Sequence, residues 1–148
     1  MRVRRATQAD AEVLAALSGQ LGYPCSTEDV RGRLLSILGQ DDHEVLVAEH
    51  EGAVLGWVHV FGTERIESGR FAEIGGVVVD AARRGRGTGA ALMRAAESWA
   101  SMRGYPAVRL RSNVARPGAH QFFERQGYAS FKRQAVFAKA LAPESETR

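Results

Sequence analysis

Cysteine is almost missing: Cys25 is the only one in 148 residues, so no internal disulfide forms and a zinc site built on cysteines is excluded. A reducing, cytoplasmic setting is the expectation. No apolar run approaches the roughly 20 residues that span a bilayer. The opening Met1-Arg2-Val3-Arg4-Arg5-Ala6 has no apolar stretch behind its charges, so neither a secretory leader nor a membrane partner is expected. Charge of one sign is also lacking. Twenty Lys and Arg against 17 Asp and Glu leave a net charge of +3, too slight to announce a nucleic-acid partner. Repeats, low-complexity tracts and linkers are absent as well. One domain over 1–142 is expected, with 143–148 as a frayed tail.

What is there is ordinary globular composition, 45% apolar and 25% charged, enough to build a core. Residues 2–6 alternate basic and apolar as a short strand does. Thr7 and Asp10 resemble a capping box, and Val13, Leu14, Leu17 and Leu21 then share one helical face until Gly22. Ser26 or Thr27 caps a second helix bearing Val30, Leu34, Ile37 and Leu38, closed by Gly39. Glu44–Glu49 and Ala53–Phe61 read as a hairpin around Glu51-Gly52. Phe71–Asp80 is a third extended run. A helix follows with Leu92, Met93, Ala96, Trp99 and Ala100 on its buried stripe and Gly104 as its stop. Val108–Arg111 reads as a strand, Pro117 opens a short helix ending at Gly127, and Tyr128–Arg133 with Ala135–Leu141 read as two closing strands. Trp57 and Trp99 read as core or interface aromatics. The result is a mixed sheet with helices against it, an α/β or α+β class that names no function.

Chemistry concentrates in residues 77–92, Val-Val-Val-Asp-Ala-Ala-Arg-Arg-Gly-Arg-Gly-Thr-Gly-Ala-Ala-Leu. A buried strand runs into a loop with glycines at 85, 87 and 89, and a helix starts directly after it. The glycines permit positive φ and close backbone approach, and the first N–H groups of the helix lack intrahelical acceptors. With Arg83, Arg84 and Arg86 beside them, these groups form an anion site suited to a phosphate or diphosphate. No Gly-Lys-Ser/Thr follows, so a Walker A loop is excluded. A dinucleotide fold wants a carboxylate about 20 positions on, where Val108-Arg109-Leu110-Arg111 offers none. A nucleotide-phosphate enzyme of another type is the remaining alternative on phosphate chemistry.

Arg84-Gly85-Arg86-Gly87-Thr88-Gly89 resembles the Arg/Gln-x-x-Gly-x-Gly/Ala loop of the GNAT superfamily of acetyl-CoA-dependent N-acyltransferases. Ala119-His120-Gln121-Phe122-Phe123-Glu124-Arg125-Gln126-Gly127-Tyr128 resembles that family's later Ala-x-x-Phe/Leu-Tyr-Glu-x-x-Gly-Phe/Tyr segment, and Val136–Leu141 its last strand. The resemblance covers nearly the whole chain. It implies a mixed, mostly antiparallel twisted sheet with about four flanking helices. It also implies acetyl-CoA as cosubstrate, no metal, and a small-molecule or peptide amine as acceptor, with a homodimer left open. A non-catalytic acyl-CoA-binding module on the same fold is the alternative.

Carried over by position, the loop backbone from Arg84 through Gly85, Arg86, Gly87, Thr88, Gly89 and Ala90 would hold the coenzyme diphosphate. The strand Val77, Val78 and Val79 would pair with the pantetheine arm as an added strand. Ala119, His120, Phe122 and Phe123 would line the coenzyme. Where the family often has Asn before that segment the chain has Arg116, with Asn113 one turn earlier, and the family's thiolate-protonating Tyr is Phe123, which leaves Tyr128 as an acid candidate. Gly75-Gly76 marks either a bulge that splays the strand from Val108–Arg111 and opens a slot for the arm, or tight packing of the following helix.

Direct transfer to an amine needs a base, because an alkyl ammonium is protonated at neutral pH. Glu73 is the general-base candidate, eleven residues before Arg84, among Phe71, Ile74 and Val77. An ion pair with an arginine is its structural alternative. His59, alternating with Trp57 and Phe61, reads as a satisfied sheet histidine. Acceptor recognition is expected from the two N-terminal helices and their connection, Gln20 to Pro24, with Tyr23 and Ser26 as substrate-side candidates.

Overall fold

The structure, a computed structural model, describes residues 1–112 and 117–142. Backbone contacts group into two units, 1–113 and 114–148. In the first, strands β1 (Arg2–Arg5), β2 (His43–His50), β3 (Ala53–Arg65), β4 (Gly69–Val79) and β5 (Val108–Leu110) form one sheet in that order. All neighbours are antiparallel except β4 and β5, which run parallel. Helices α1 (Ala11–Leu21) and α2 (Thr27–Leu38) precede β2, and α3 (Thr88–Met102) connects β4 to β5.

Local chemistry sets the helix ends. Asp10 accepts two bonds from Arg4, both 2.9 Å, and one from the Thr7 N–H at 2.8 Å, which anchors the entry to α1. That bidentate guanidinium holds the Asp10 carboxyl below its usual range, against the opposing effect of its own burial. Gly22 ends α1 at φ +102, a conformation that costs glycine little. Ser26 Oγ accepts from Asp29 N at 3.0 Å and caps α2.

The core has two layers of contacts. Leu14 and Ala15 from α1 and Val30 and Leu34 from α2 cover Val45 and Val47 of β2. On α3, Leu92, Met93 and Ala96 are fully buried, as are Val58 and Val60 of β3. Glu51 (φ +50) and Gly52 (φ +81) turn β2 into β3, the positive-φ pair that two-residue hairpins require. One register shift follows at Ala48/Glu49.

Two expectations need correction. Strand β3 runs four residues past Phe61 to Arg65, and β4 begins at Gly69, so this hairpin is longer than the polar Gly62-Thr63-Glu64-Arg65 implied. In the second unit, α4 spans Pro117–Arg125, but no strand forms over 128–142. Alternation marks an extended chain, whereas a strand exists only as half of a ladder. The described residues after α4 form no ladder, and 129–142 are exposed. The tail 143–148, Asn113 and Arg116 lie outside the described residues.

Candidate active site

The strand–loop–helix segment forms as its sequence implies. Gly85 (φ +82) and Gly87 (φ +79) are left-handed. Gly87 is the N-cap of α3, and space is open within 4 Å of where a Cβ would stand on either glycine. Gly89 and Ala90 are instead inside the first turn of α3, where Ala91 N is the first to find an intrahelical acceptor, Gly87 O at 3.0 Å. Thr88 is 2% exposed, and its Oγ1 is buried with no hydrogen-bond partner. Arg84 and Arg86 are exposed and Arg83 is half-buried. Orphan N–H groups, open glycines and three guanidiniums on one loop make a cradle for a diphosphate.

The loop is fastened at its start. Asp80 Oδ1 accepts from Ala82 N at 3.2 Å and from Gln20 Nε2 at 3.3 Å, while Gln20 Oε1 accepts from Ala81 N at 2.7 Å. The last turn of α1 therefore clamps the strand-to-loop corner. Arg84 Nε reaches back to the Val79 carbonyl at 3.4 Å.

Strand β4 has an open edge beside this loop. Its parallel ladder with β5 covers only Ala72, Glu73 and Ile74 and stops at the Ile74–Leu110 pair. Immediately beyond, the β3 register jumps from His59–Gly76 to Val60–Ile74, so Gly75 is the extra residue of a bulge. The bulge ends the β4–β5 pairing, and Gly76 through Val79 have no β5 partner among the described residues. Close packing also occurs, but against β3 rather than the following helix. A Cβ on Gly75 would lie 2.9 Å from both His59 Nδ1 and Phe61 Cε1, and one on Gly76 2.8 Å from Trp57 Cη2.

On the sheet face under α1 and α2 lies a cavity of about 150 Å³. Leu14, Ser18, Cys25, Arg33, Ile37, Trp57 and His59 are among its lining residues. Trp57 Nε1 is buried without a partner. His43 Nδ1 and His59 Nε2 are 3.0 Å apart. Burial, with His43 beside it, pushes the His59 imidazole down to about 4.

Glu73 is engaged rather than free. Its carboxylate accepts from Thr63 Oγ1 at 3.2 Å and stands 3.9 Å from Arg65 Nη2 and 3.7 Å from Arg111 Nη2, with its side chain 12% exposed. Tyr23 is 71% exposed at the α1–α2 connection, and the Ser26 hydroxyl is committed to its cap. Ala119, His120, Phe122 and Phe123 lie on α4, where Phe123 meets Phe122 and Tyr128 edge-to-face at 5.2 and 6.4 Å. Among the described residues no group of three His, Cys, Asp or Glu is arranged to hold a metal, and no helix is long and apolar enough to cross a membrane. Sequence reasoning missed Arg33 and the His43–His59 contact.

Comparison with known proteins accords with this geometry. The sequence profile of the Acetyltransferase (GNAT) family matches residues 11–128. A search of curated proteins by sequence gave no match. Among solved structures, a putative acetyltransferase from Agrobacterium tumefaciens superposes with TM-score 0.83 at 24% identity, covering 94% of this chain and all of that one. A GNAT family acetyltransferase from Staphylococcus aureus gives TM-score 0.74 at 25% identity, over 95% and 98% of the two chains. An aminoglycoside N-acetyltransferase solved in complex with CoA gives TM-score 0.84 at 17% identity, over 93% of each.

Proposed function

Because the chain belongs to the Acetyltransferase (GNAT) family, we propose that it transfers acetyl from acetyl-CoA to a primary amine by direct attack on the thioester. The observation that carries this reading is the cradle of Arg84 to Ala90 placed at the end of a β4 edge left open by the Gly75 bulge. The cradle N–H groups bind the diphosphate, and the open backbone at Val77, Val78 and Val79 takes the pantetheine arm as a partner strand would. Engaging the Val79 carbonyl requires Arg84 to let go of it. The family resemblance adds Asn113, Arg116, Ala119, His120, Phe122 and Phe123 to the coenzyme side, with both units of the chain serving one domain, and Tyr128 as an acid. The acceptor enters from the α1–α2 side, past Tyr23 and Ser26 into the cavity. The aminoglycoside enzyme among the structural relatives supports a small-molecule amine.

Glu73 contributes negative charge to the acceptor side. Held by Thr63 beside Arg65 and Arg111, it offsets part of their positive charge, which would otherwise repel an ammonium. The test is incubation of purified protein with acetyl-CoA and a panel of amines, following thioester loss, with coenzyme binding measured separately by calorimetry. Acetylation of at least one amine class is expected. Binding of acetyl-CoA without transfer to any amine would favour a non-catalytic module, and absence of binding would refute the cradle.

A further inference from the structure

Three titratable side chains stand in a row from the cavity wall to the surface. His59 on β3 lines the cavity, and its Nδ1 edge lies over the bulge, 2.9 Å from where a Gly75 Cβ would be. Its other nitrogen, Nε2, is 3.0 Å from His43 Nδ1 on β2. His43 Nε2 in turn is 4.0 Å from Asp42 Oδ1. The His43 side chain is 18% exposed and that of Asp42 57%. Stacking fixes the rings: centroids are 5.2 Å apart between the histidines and 5.1 Å between His43 and Phe61.

An imidazole takes a proton at one nitrogen and releases another from the second. We propose that His59, backed by His43 and Asp42, accepts the proton of the acceptor ammonium and conducts it to solvent. This rests on the acetyltransferase reading above. At rest His59 carries its hydrogen on Nε2, donated to His43 Nδ1, and His43 carries its own on Nε2, toward Asp42. As an ammonium N–H bond breaks, a His59 Nδ1–H bond forms. The His59 Nε2 proton moves to His43 Nδ1, and the partly exposed His43 releases its Nε2 proton to water beside the Asp42 carboxylate. The amine lone pair then makes the C–N bond, the C–S bond breaks with its electrons on sulfur, and the nitrogen's surplus proton goes to water. The thiolate takes the His59 Nδ1 proton. A proton drawn back from water through His43 restores both rings.

Burial explains why a row is needed. A ring held down to about 4 offers its lone pair throughout the neutral range but cannot keep a proton, so an exit is required. Other groups lie on this side of the sheet. Arg33 on α2 and Cys25 on the α1–α2 connection line the same cavity. Glu73 on β4 is engaged by Arg65 and Arg111, whereas the His59 ring contacts His43 and Phe61.

Nitrogen-15 spectra of the imidazoles in the whole chain test the resting arrangement without turnover. At pH 7, His59 should be unprotonated at Nδ1 and protonated at Nε2, and a hydrogen on Nδ1 would overturn the proposal. In kinetics with acetyl-CoA and one good amine, His59→Gln should lower kcat about 100-fold or more with calorimetric coenzyme affinity unchanged. His43→Gln should lower kcat about 10-fold and move the acid limb of the profile, because the exit and not the entry is lost. Unchanged kcat and pH profile in His59→Gln refute the row while leaving acetyl transfer intact. A wild-type chain that acetylates nothing refutes the reading it rests on, and the spectra then still decide the resting tautomers.

Discussion

Acidification gives the buried imidazole a signature in stability. His59 titrates at about 4 in the folded chain against an ordinary 6.5, first because burial penalises the cation and second because His43 lies beside it. Between those values the unfolded chain takes up a proton that the folded chain refuses, so stability falls as the pH falls. Well above pH 6.5 the ring is neutral in both states and contributes no slope. At pH 4.5 the unfolded ring is almost fully protonated and the folded ring only about a quarter so, a loss of about 2.5 kcal/mol. With a urea slope of roughly 2 kcal/mol/M for a chain of this length, the unfolding midpoint should drop by about 1 M between pH 7 and pH 4.5 through this ring alone. Carboxylates titrate over the lower part of the span. Asp10, held low by Arg4, stabilises above its unfolded value, and that contribution disappears as the pH falls through its folded one. His59→Gln retains those carboxylates, so the difference between the two proteins' midpoint shifts isolates the ring. Equal shifts in both would refute the argument from burial.

Gly87→Val forces a β-branched residue to φ +79 and blocks close approach to the cradle. Acetyl-CoA affinity should fall about 10-fold or more by calorimetry, and unaltered binding would remove Gly87 from the site. Glu73→Gln leaves Arg65 and Arg111 uncompensated, so KM for a cationic amine should rise about 10-fold with a smaller change in kcat. Loss of the acid limb in that variant would make Glu73 the base instead. Gly76→Ala places a methyl 2.8 Å from Trp57, and overpacking of about 1–3 kcal/mol should lower Tm by several degrees in calorimetry. Phe123→Tyr should raise kcat by less than about 10-fold, because a thiol of ordinary acidity leaves at pH 7 with a penalty of only about 2 kcal/mol. A 100-fold gain would make leaving-group protonation the limiting step.

The strand–loop–helix was legible because backbone conformation dictates its residues: positive φ at 85 and 87 leaves glycine as the ready choice, and the strand and helix around them follow from periodicity. The bulge was legible for the same reason, since two glycines in a strand leave a ladder weak. The His43–His59 contact was not. A two-residue turn at Glu51-Gly52 continued without interruption sets His43 opposite Val60 and His59 opposite Glu44, which puts the two histidines on opposite faces. The register shift at Ala48/Glu49 moves the pairing to His43–Phe61 and Val45–His59 and brings both rings to one face. No turn residue or periodicity announces that shift. Glu73 was picked out by its position, but its partners Arg65 and Arg111 come from an extended β3 and from beyond β5, so they depend on tertiary register.

The lone thiol has a practical weight. Cys25 lines the cavity and is the only sulfhydryl of the chain. A disulfide reagent used to follow the released coenzyme consumes one equivalent of protein thiol per chain as well, as a burst ahead of turnover. With the acceptor in this cavity as proposed, the adduct takes the amine's place, and progress curves bend for a reason unrelated to product. On the same proposal a bound amine shields the sulfur, and the speed of that burst should gauge acceptor occupancy before any chemistry occurs. Monitoring the thioester absorbance leaves the sulfur untouched and the curves straight.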